Sequence, residues 1–230
     1  MESGLDEMEL INSCGAKVHD SICLELAKLL DKAALIIPTI ESARPGGRLG
    51  IQELCSLNNT VEKGKLILQH CTECSKLYLA ITGESILSRC ERIRNSLNQS
   101  LCQIQNLVPP LVGAKITEVL DYLRDAKFII NSTEEEAGKA LLELLRQTDS
   151  GEEHEFATFQ IVASKLSLTS PRDISIERRS TKNLLDKFRG ADPQKEKILK
   201  YFLYLLKKYG NNISSESSNC ETKQFGARID

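Results

Sequence analysis

Lys17–Ile37 reads KVHDSICLELAKLLDKAALII, and this stretch decides the fold class. Val18, Ile22, Leu26, Leu29, Ala33 and Ile36 recur at steps of three and four. That spacing places them on one face of an α-helix, the face that buries. Pro38 falls inside the pattern as a potential kink, and Arg44-Pro45-Gly46-Gly47 ends it.

The same periodicity continues outward. From Leu49, the residues Ile51, Leu54, Leu57 or Asn58, Val61, Leu68, Cys71 and Leu77 form a second stripe, expected to close at Thr82-Gly83. Glu84–Val108 carries Ile86, Cys90, Ile93, Leu97, Leu101 and Ile104, and Pro109-Pro110 stops it. Val112–Ile130 carries Ile116, Val119, Leu120, Leu123 and Ala126. Four long amphipathic segments with short connections bury their stripes together by packing antiparallel. The expected architecture is therefore all-α, an antiparallel four-helix bundle over residues 17–131.

A smaller helical extension is expected over 132–210. Ser132 with three acids behind it reads as a helix start, using Ala137, Leu141, Leu144 and Leu145. A loop at 148–151 precedes a short helix with Phe156, Phe159, Val162 and Leu166. Ser170-Pro171 opens another with Leu184, Leu185 and Phe188. Asp192-Pro193 opens the last, with Ile198, Leu199, Phe202, Leu205, Leu206 and Tyr209, and Gly210 is its expected cap. Residues 1–16 read as a flexible N-terminus, and the Ser/Asn-rich 211–230 as a disordered tail or linker. There is no strand pattern and no repeat of fixed period.

Composition narrows the function. Of 230 residues, 41% are hydrophobic but only 5% aromatic, with no Trp, so the core is aliphatic. The net charge of −2 gives no global reason to expect nucleic acid. MESGLDEMELINSCG is acidic where a secretory leader is basic and apolar, so the eight cysteines are expected as free thiols. No run of apolar residues approaches ~20, the length that spans a membrane.

The cysteine pair Cys71 and Cys74, beside His70, is the first half of a zinc pattern, but no second pair follows. Three apart near an apolar stripe, both thiols are expected in the core, and so are Cys23, Cys55, Cys90 and Cys102. Nucleophilic catalysis needs a base beside a thiol or hydroxyl. Only His19, His70 and His154 exist; His19, at a helix start, and His154, in an acidic loop, are expected in solvent. No phosphate-binding glycine loop is present. No catalytic, cofactor-binding or metal-binding residue is therefore expected, and no cofactor.

Charge is uneven along the chain. Pro171–Gly210 holds eleven basic residues against five acidic ones. Arg178, Arg179, Lys182, Lys197 and Lys200 are the candidate partner-binding residues. A solvated helix face whose Lys stems cover nearby apolar surface is the competing reading. An acidic protein surface is one expected partner. Anionic lipid headgroups at a peripheral membrane contact are the alternative.

Two long strings resemble a known family. ESARPGGRLGIQELCSLNNTVEKGKLILQHCTECSKLYLAITGESI (Glu41–Ile86) and RSTKNLLDKFRGADPQKEKILKYFLYLLKKYG (Arg179–Gly210) are similar to the N-terminal domain of plant U-box, armadillo-repeat E3 ubiquitin ligases. The resemblance implies a helical bundle similar to those of the Cbl adaptor and a necroptosis pseudokinase. It implies a non-catalytic interaction and regulatory domain in protein ubiquitination. Its partners would be proteins such as exocyst subunits or signalling factors, in the cytoplasm, the nucleus or at the plasma membrane. The Cys-Pro-Ile core of a U-box is not in this chain. Contact with a conjugating enzyme is implied only if a U-box follows.

Overall fold

The computed structural model describes residues 15–45, 47–146 and 151–223, with side chains as far as Ile213. Among these residues there are nine helices and no strand. They are α1 (Asp20–Ser42), α2 (Gly47–Glu73), α3 (Lys76–Ile81), α4 (Gly83–Gln105), α5 (Pro110–Asp125), α6 (Ser132–Arg146), α7 (Glu152–Lys165), α8 (Pro171–Phe188) and α9 (Pro193–Lys223). The chain forms two compact units. One spans Met1–Thr72 and Glu84–Ile130; the other spans Glu73–Gly83 and Asn131–Asp230.

The first unit is the expected four-helix bundle of α1, α2, α4 and α5. Its antiparallel sense shows in cross-helix contacts. The amide of Lys17, just before α1, donates to the Cys71 carbonyl near the end of α2 (3.3 Å). Ser100 Oγ, late in α4, donates to Ser56 Oγ, early in α2 (3.3 Å). Gln105 Nε2 reaches Thr117 Oγ1 of α5 (2.7 Å), and the Lys32 ammonium of α1 sits 4.5 Å from the Tyr122 ring centroid. Every α1 stripe residue read from the sequence is buried, from Val18 through Ile36. Pro38 stays inside α1. At the α1–α2 turn Pro45 is buried, and a Cβ on Gly50 would lie 2.7 Å from the Pro45 carbonyl oxygen. Only glycine lets α2 start this close to the turn.

The second stripe does not make one helix. It breaks at Cys74-Ser75, where Ser75 turns extended (ψ 133°) and its hydroxyl caps α3 by accepting from the Tyr78 amide (3.2 Å). Residues 73–83 thereby belong to the second unit. Gly83 opens α4 rather than closing a helix. In the second unit α3 packs on α6 and α8, α6 on α7, and α9 on α7 and α8. Leu77, Leu141, Phe159, Leu184, Phe202 and Leu206 are among its buried residues.

A buried carboxylate ties α3 to α8. Glu177 is 1% exposed. It accepts from Ser75 Oγ (2.6 Å), the Lys76 amide (2.9 Å) and the Leu77 amide (3.0 Å). Thr181 Oγ1 lies 3.1 Å from Ser75 Oγ. The open amides at the start of α3 thus find a charged acceptor one helix away.

Two helix starts match the reading and one shifts. Ser170 and Asp173 form a reciprocal capping box with Pro171 in the first turn. Asp192 Oδ1 accepts from the Lys195 amide (3.1 Å). Asn131, not Ser132, caps α6, its Oδ1 accepting from the Thr133 amide (2.9 Å). Gly210 does not end the last helix: α9 continues to Lys223, through part of the expected tail, and Ile213 is buried. The glycine serves packing instead, because a Cβ there would lie 2.7 Å from Ile174 Cγ2 of α8. Residues 1–14, 147–150 and 224–230, where the rest of the N-terminus, most of a loop and the rest of the tail were expected, lie outside the described residues.

Two predictions follow from these joints. Glu177→Ala strands the Ser75 hydroxyl and two amides, and we expect a loss of about 3 kcal/mol in urea unfolding. Gly210→Ala is expected to cost about 1–3 kcal/mol by overpacking. A double-mutant cycle with Ile174→Ala should recover part of that cost; full additivity would show that the Gly210–Ile174 approach is not its cause.

Candidate functional site

The basic stretch Pro171–Gly210 lies in α8, α9 and the turn between them, all within the second unit. The fold sorts its charges. Each of its five acids is used internally. Asp173 closes the capping box of α8, and Glu177 caps α3. Asp186 pairs with Arg189 (3.6 Å), Asp192 with Lys195 (2.9 Å) and Glu196 with Lys200 (2.6 Å).

Five of the eleven cations are also used. Besides Arg189, Lys195 and Lys200, Arg178 Nη2 donates to the Leu206 carbonyl of α9 (3.0 Å). Lys208 is held by Glu152 (2.7 Å) and Glu155 (3.4 Å). Among the described residues, the other six, Arg172, Arg179, Lys182, Lys187, Lys197 and Lys207, make no side-chain hydrogen bond or ion pair, and all six are exposed.

The structure therefore divides the five candidate residues. Arg179, Lys182 and Lys197 are exposed and uncompensated. Arg178 faces α9 as a packing contact, and Lys200 is neutralised by Glu196. Sequence reasoning had not singled out Arg172 and Lys187 for this role. Periodicity offered a signal for Arg172, which stands seven residues before Arg179 and so on the same side of α8.

Beside these cations an acid–tyrosine cluster joins α7 to α9. Glu155, 13% exposed at its side chain, accepts from Tyr209 (2.6 Å), Tyr201 (2.8 Å) and Tyr204 (3.4 Å). Lys208 also stacks on the Tyr204 and Tyr209 rings. Burial works against the Glu155 charge, but the hydrogen bonds from Tyr209 and Tyr201 and the Lys208 ammonium prevail and hold its carboxyl below the usual range. Burial and the bond to Glu155 push the Tyr201 hydroxyl far up.

Of the described cysteines, Cys23, Cys71, Cys74 and Cys90 take core positions, but Cys55 and Cys102 are exposed, against expectation. Cys71 packs in the first unit with Cys23 and Cys90, all fully buried, whereas Cys74 is buried in the second. A hydrogen bond from Cys23 lowers the Cys71 thiol pKa against its burial, helped by His19 and Arg89. Burial, reinforced by Cys71, pushes Cys90 up to about 12. His19 is not solvated as expected but 1% exposed, with a left-handed backbone (φ 65°). His154 is exposed, in the first turn of α7 rather than in a loop. Among the described residues no three His, Cys, Asp or Glu side chains gather as metal ligands, and no helix is long and apolar enough to cross a membrane.

Glu155 makes the α7–α9 joint sensitive to acid. A carboxyl with a lowered folded pKa stabilises above its unfolded value, ~4.3, and that stabilisation is lost as pH falls through the folded value. We expect the difference in thermal midpoint between the chain and Glu155→Gln to be largest near neutral pH. It should shrink below the ordinary carboxylate range, as followed by circular dichroism; a constant difference would rule out the charged hub.

Known proteins place the chain further. It is 40% identical over 215 residues to U-box domain-containing protein 6 of Arabidopsis thaliana, covering 91% of this chain and 28% of that protein. It is 39% identical over 215 residues to U-box domain-containing protein 7 of the same plant, with the same shares. Against U-box domain-containing protein 5 it is 45% identical over 168 residues, 72% of this chain and 23% of that protein. No family model matches the chain, and no solved structure does. The chain thus corresponds to a region of plant U-box domain-containing proteins and spans about a quarter of their length.

Proposed function

We propose that this chain is a non-catalytic protein-interaction and regulatory region of a plant U-box protein acting in protein ubiquitination. The observation that carries the reading is the charge sorting of the second unit. All five acids of Pro171–Gly210 are engaged by caps or ion pairs within the second unit, while six cations stand in solvent with no partner among the described residues. Uncompensated charge at a surface raises the rate of encounter with an oppositely charged partner and filters wrong ones. Arg179, Lys182 and Lys197 are its proposed contacts, joined by Arg172, Lys187 and Lys207. Support for the ubiquitination setting comes from the relatives, which are named for a U-box. In this reading, recruitment of a conjugating enzyme belongs to a U-box and partner choice to these helices. Exocyst subunits and signalling proteins are the partner classes that the resemblance suggests.

Two measurements test it. Incubated with activating enzyme, conjugating enzyme, ATP and ubiquitin, the chain is expected to build no ubiquitin chains; chain formation would contradict the non-catalytic assignment. Affinity capture from plant extract should yield proteins that elute as salt rises and are lost when all six free cations become Glu. An unchanged set would remove the cations from the interaction.

A further inference from the structure

Cations are free on two helices of the second unit, but on α8 they line up around an exposed apolar residue. Helical residues advance ~100° and ~1.5 Å each. Arg172, Ile176, Arg179 and Asn183 follow at steps of four, three and four, so they fall on one side of α8 over about 16 Å. Lys182 and Lys187 flank that line and are likewise exposed and unpaired among the described residues. Ile176 is 46% exposed. The opposite side is committed: Ile174, Glu177, Thr181 and Leu184 are buried. The Glu177 carboxylate bonded to α3 prevents α8 from rotating to hide Ile176.

Resting on the protein-interaction reading above, we propose that this line docks an acidic amphipathic helix of a partner protein. Its acids would lie over Arg172 and Arg179 and an apolar residue over Ile176. Charge complementarity selects the occupant. Four free cations lie on or beside the line, and its two nearby acids are engaged, Asp173 in the capping box with Ser170 and Asp186 with Arg189. Steps of four and three are also the repeat that a second helix presents along its own face. A lipid surface fits less well, because a single isoleucine among Ser175, Asn183 and Asp186 offers little apolar area to insert.

The test uses the whole chain and a fluorescent Ala-based helical peptide of about 16 residues, long enough to hold a helix. The peptide carries Glu, Leu, Glu and Glu at steps of four, three and four. Its control carries Lys for Glu, and a third arm uses phosphatidylcholine vesicles with about one fifth phosphatidylserine. Fluorescence anisotropy should show binding of the acidic peptide that weakens as salt rises. Affinity should fall about tenfold or more on Arg172→Glu with Arg179→Glu, and again on Ile176→Ser. Circular dichroism checks that each variant keeps its helix content; Arg172→Gln with Arg179→Gln serves if the charge reversal unfolds. No peptide binding, equal binding of the Lys control, unchanged affinity in the folded variants, or binding to the vesicles alone would each overturn the proposal. Such a failure leaves the wider reading separately testable, because capture through the α9 cations Lys197 and Lys207 does not need this line.

Discussion

Glu177 is the residue on which the second unit turns. A carboxylate can be buried only when charge-compensating donors surround it. Here they are the Ser75 hydroxyl and two open amides of α3, a six-residue helix too short to be stable alone. The bond solves two problems together: α3 gains an acceptor for its exposed amides, and α8 gains a fixed rotation. With Glu177 and Thr181 pointing in, Arg172, Ile176 and Arg179 must point out. The surface that we assign to partner binding is therefore a geometric consequence of an internal polar contact.

The same economy runs through the charges of α8 and α9. An acid that caps a helix or pairs with a neighbour is unavailable to shield a more distant cation. Asp173, Asp186, Asp192 and Glu196 all act locally, within six residues of their partners. What remains is a surplus of Arg and Lys set by backbone needs elsewhere. Exposed pairs of this kind add little stability. Their effect here is to decide which cations stay free. Stability between α7 and α9 rests instead on the buried-edge cluster of Glu155 with Tyr201 and Tyr209, supported by the Phe156–Tyr209 and Phe159–Tyr209 ring contacts.

Much of the fold was legible because helix burial is periodic. The stripes of α1 and α4 are buried as spaced, as is that of α5 except for the half-buried Val119, and Ser170-Pro171 and Asp192-Pro193 start helices where their capping chemistry says. What periodicity hides is a break that keeps the stripe in phase. Cys71 and Leu77 both look like one face of one helix, yet Ser75 between them is a cap whose partner lies about a hundred residues away. Gly83 and Gly210 look like stops, but one begins a helix and the other lets Ile174 approach. A glycine's local permissiveness does not say whether turn or packing needs it. In the site, the excess of cations was visible in the sequence. Their sorting was not, because it depends on which acid meets which base: Arg178 and Arg179 are adjacent in the chain but differ in partner.

The fold neutralises some of these cations and leaves the others to solvent. Amine-acylation rates, read residue by residue by mass spectrometry on the folded chain, measure this directly. Lys182, Lys187, Lys197 and Lys207 should react together as a fast class. Lys195 and Lys208 should lag, because hydrogen bonds to Asp192 and Glu152 raise their pKa and hold the reactive amine protonated. Equal rates for all six, or fast labelling of Lys208, would contradict the sorting.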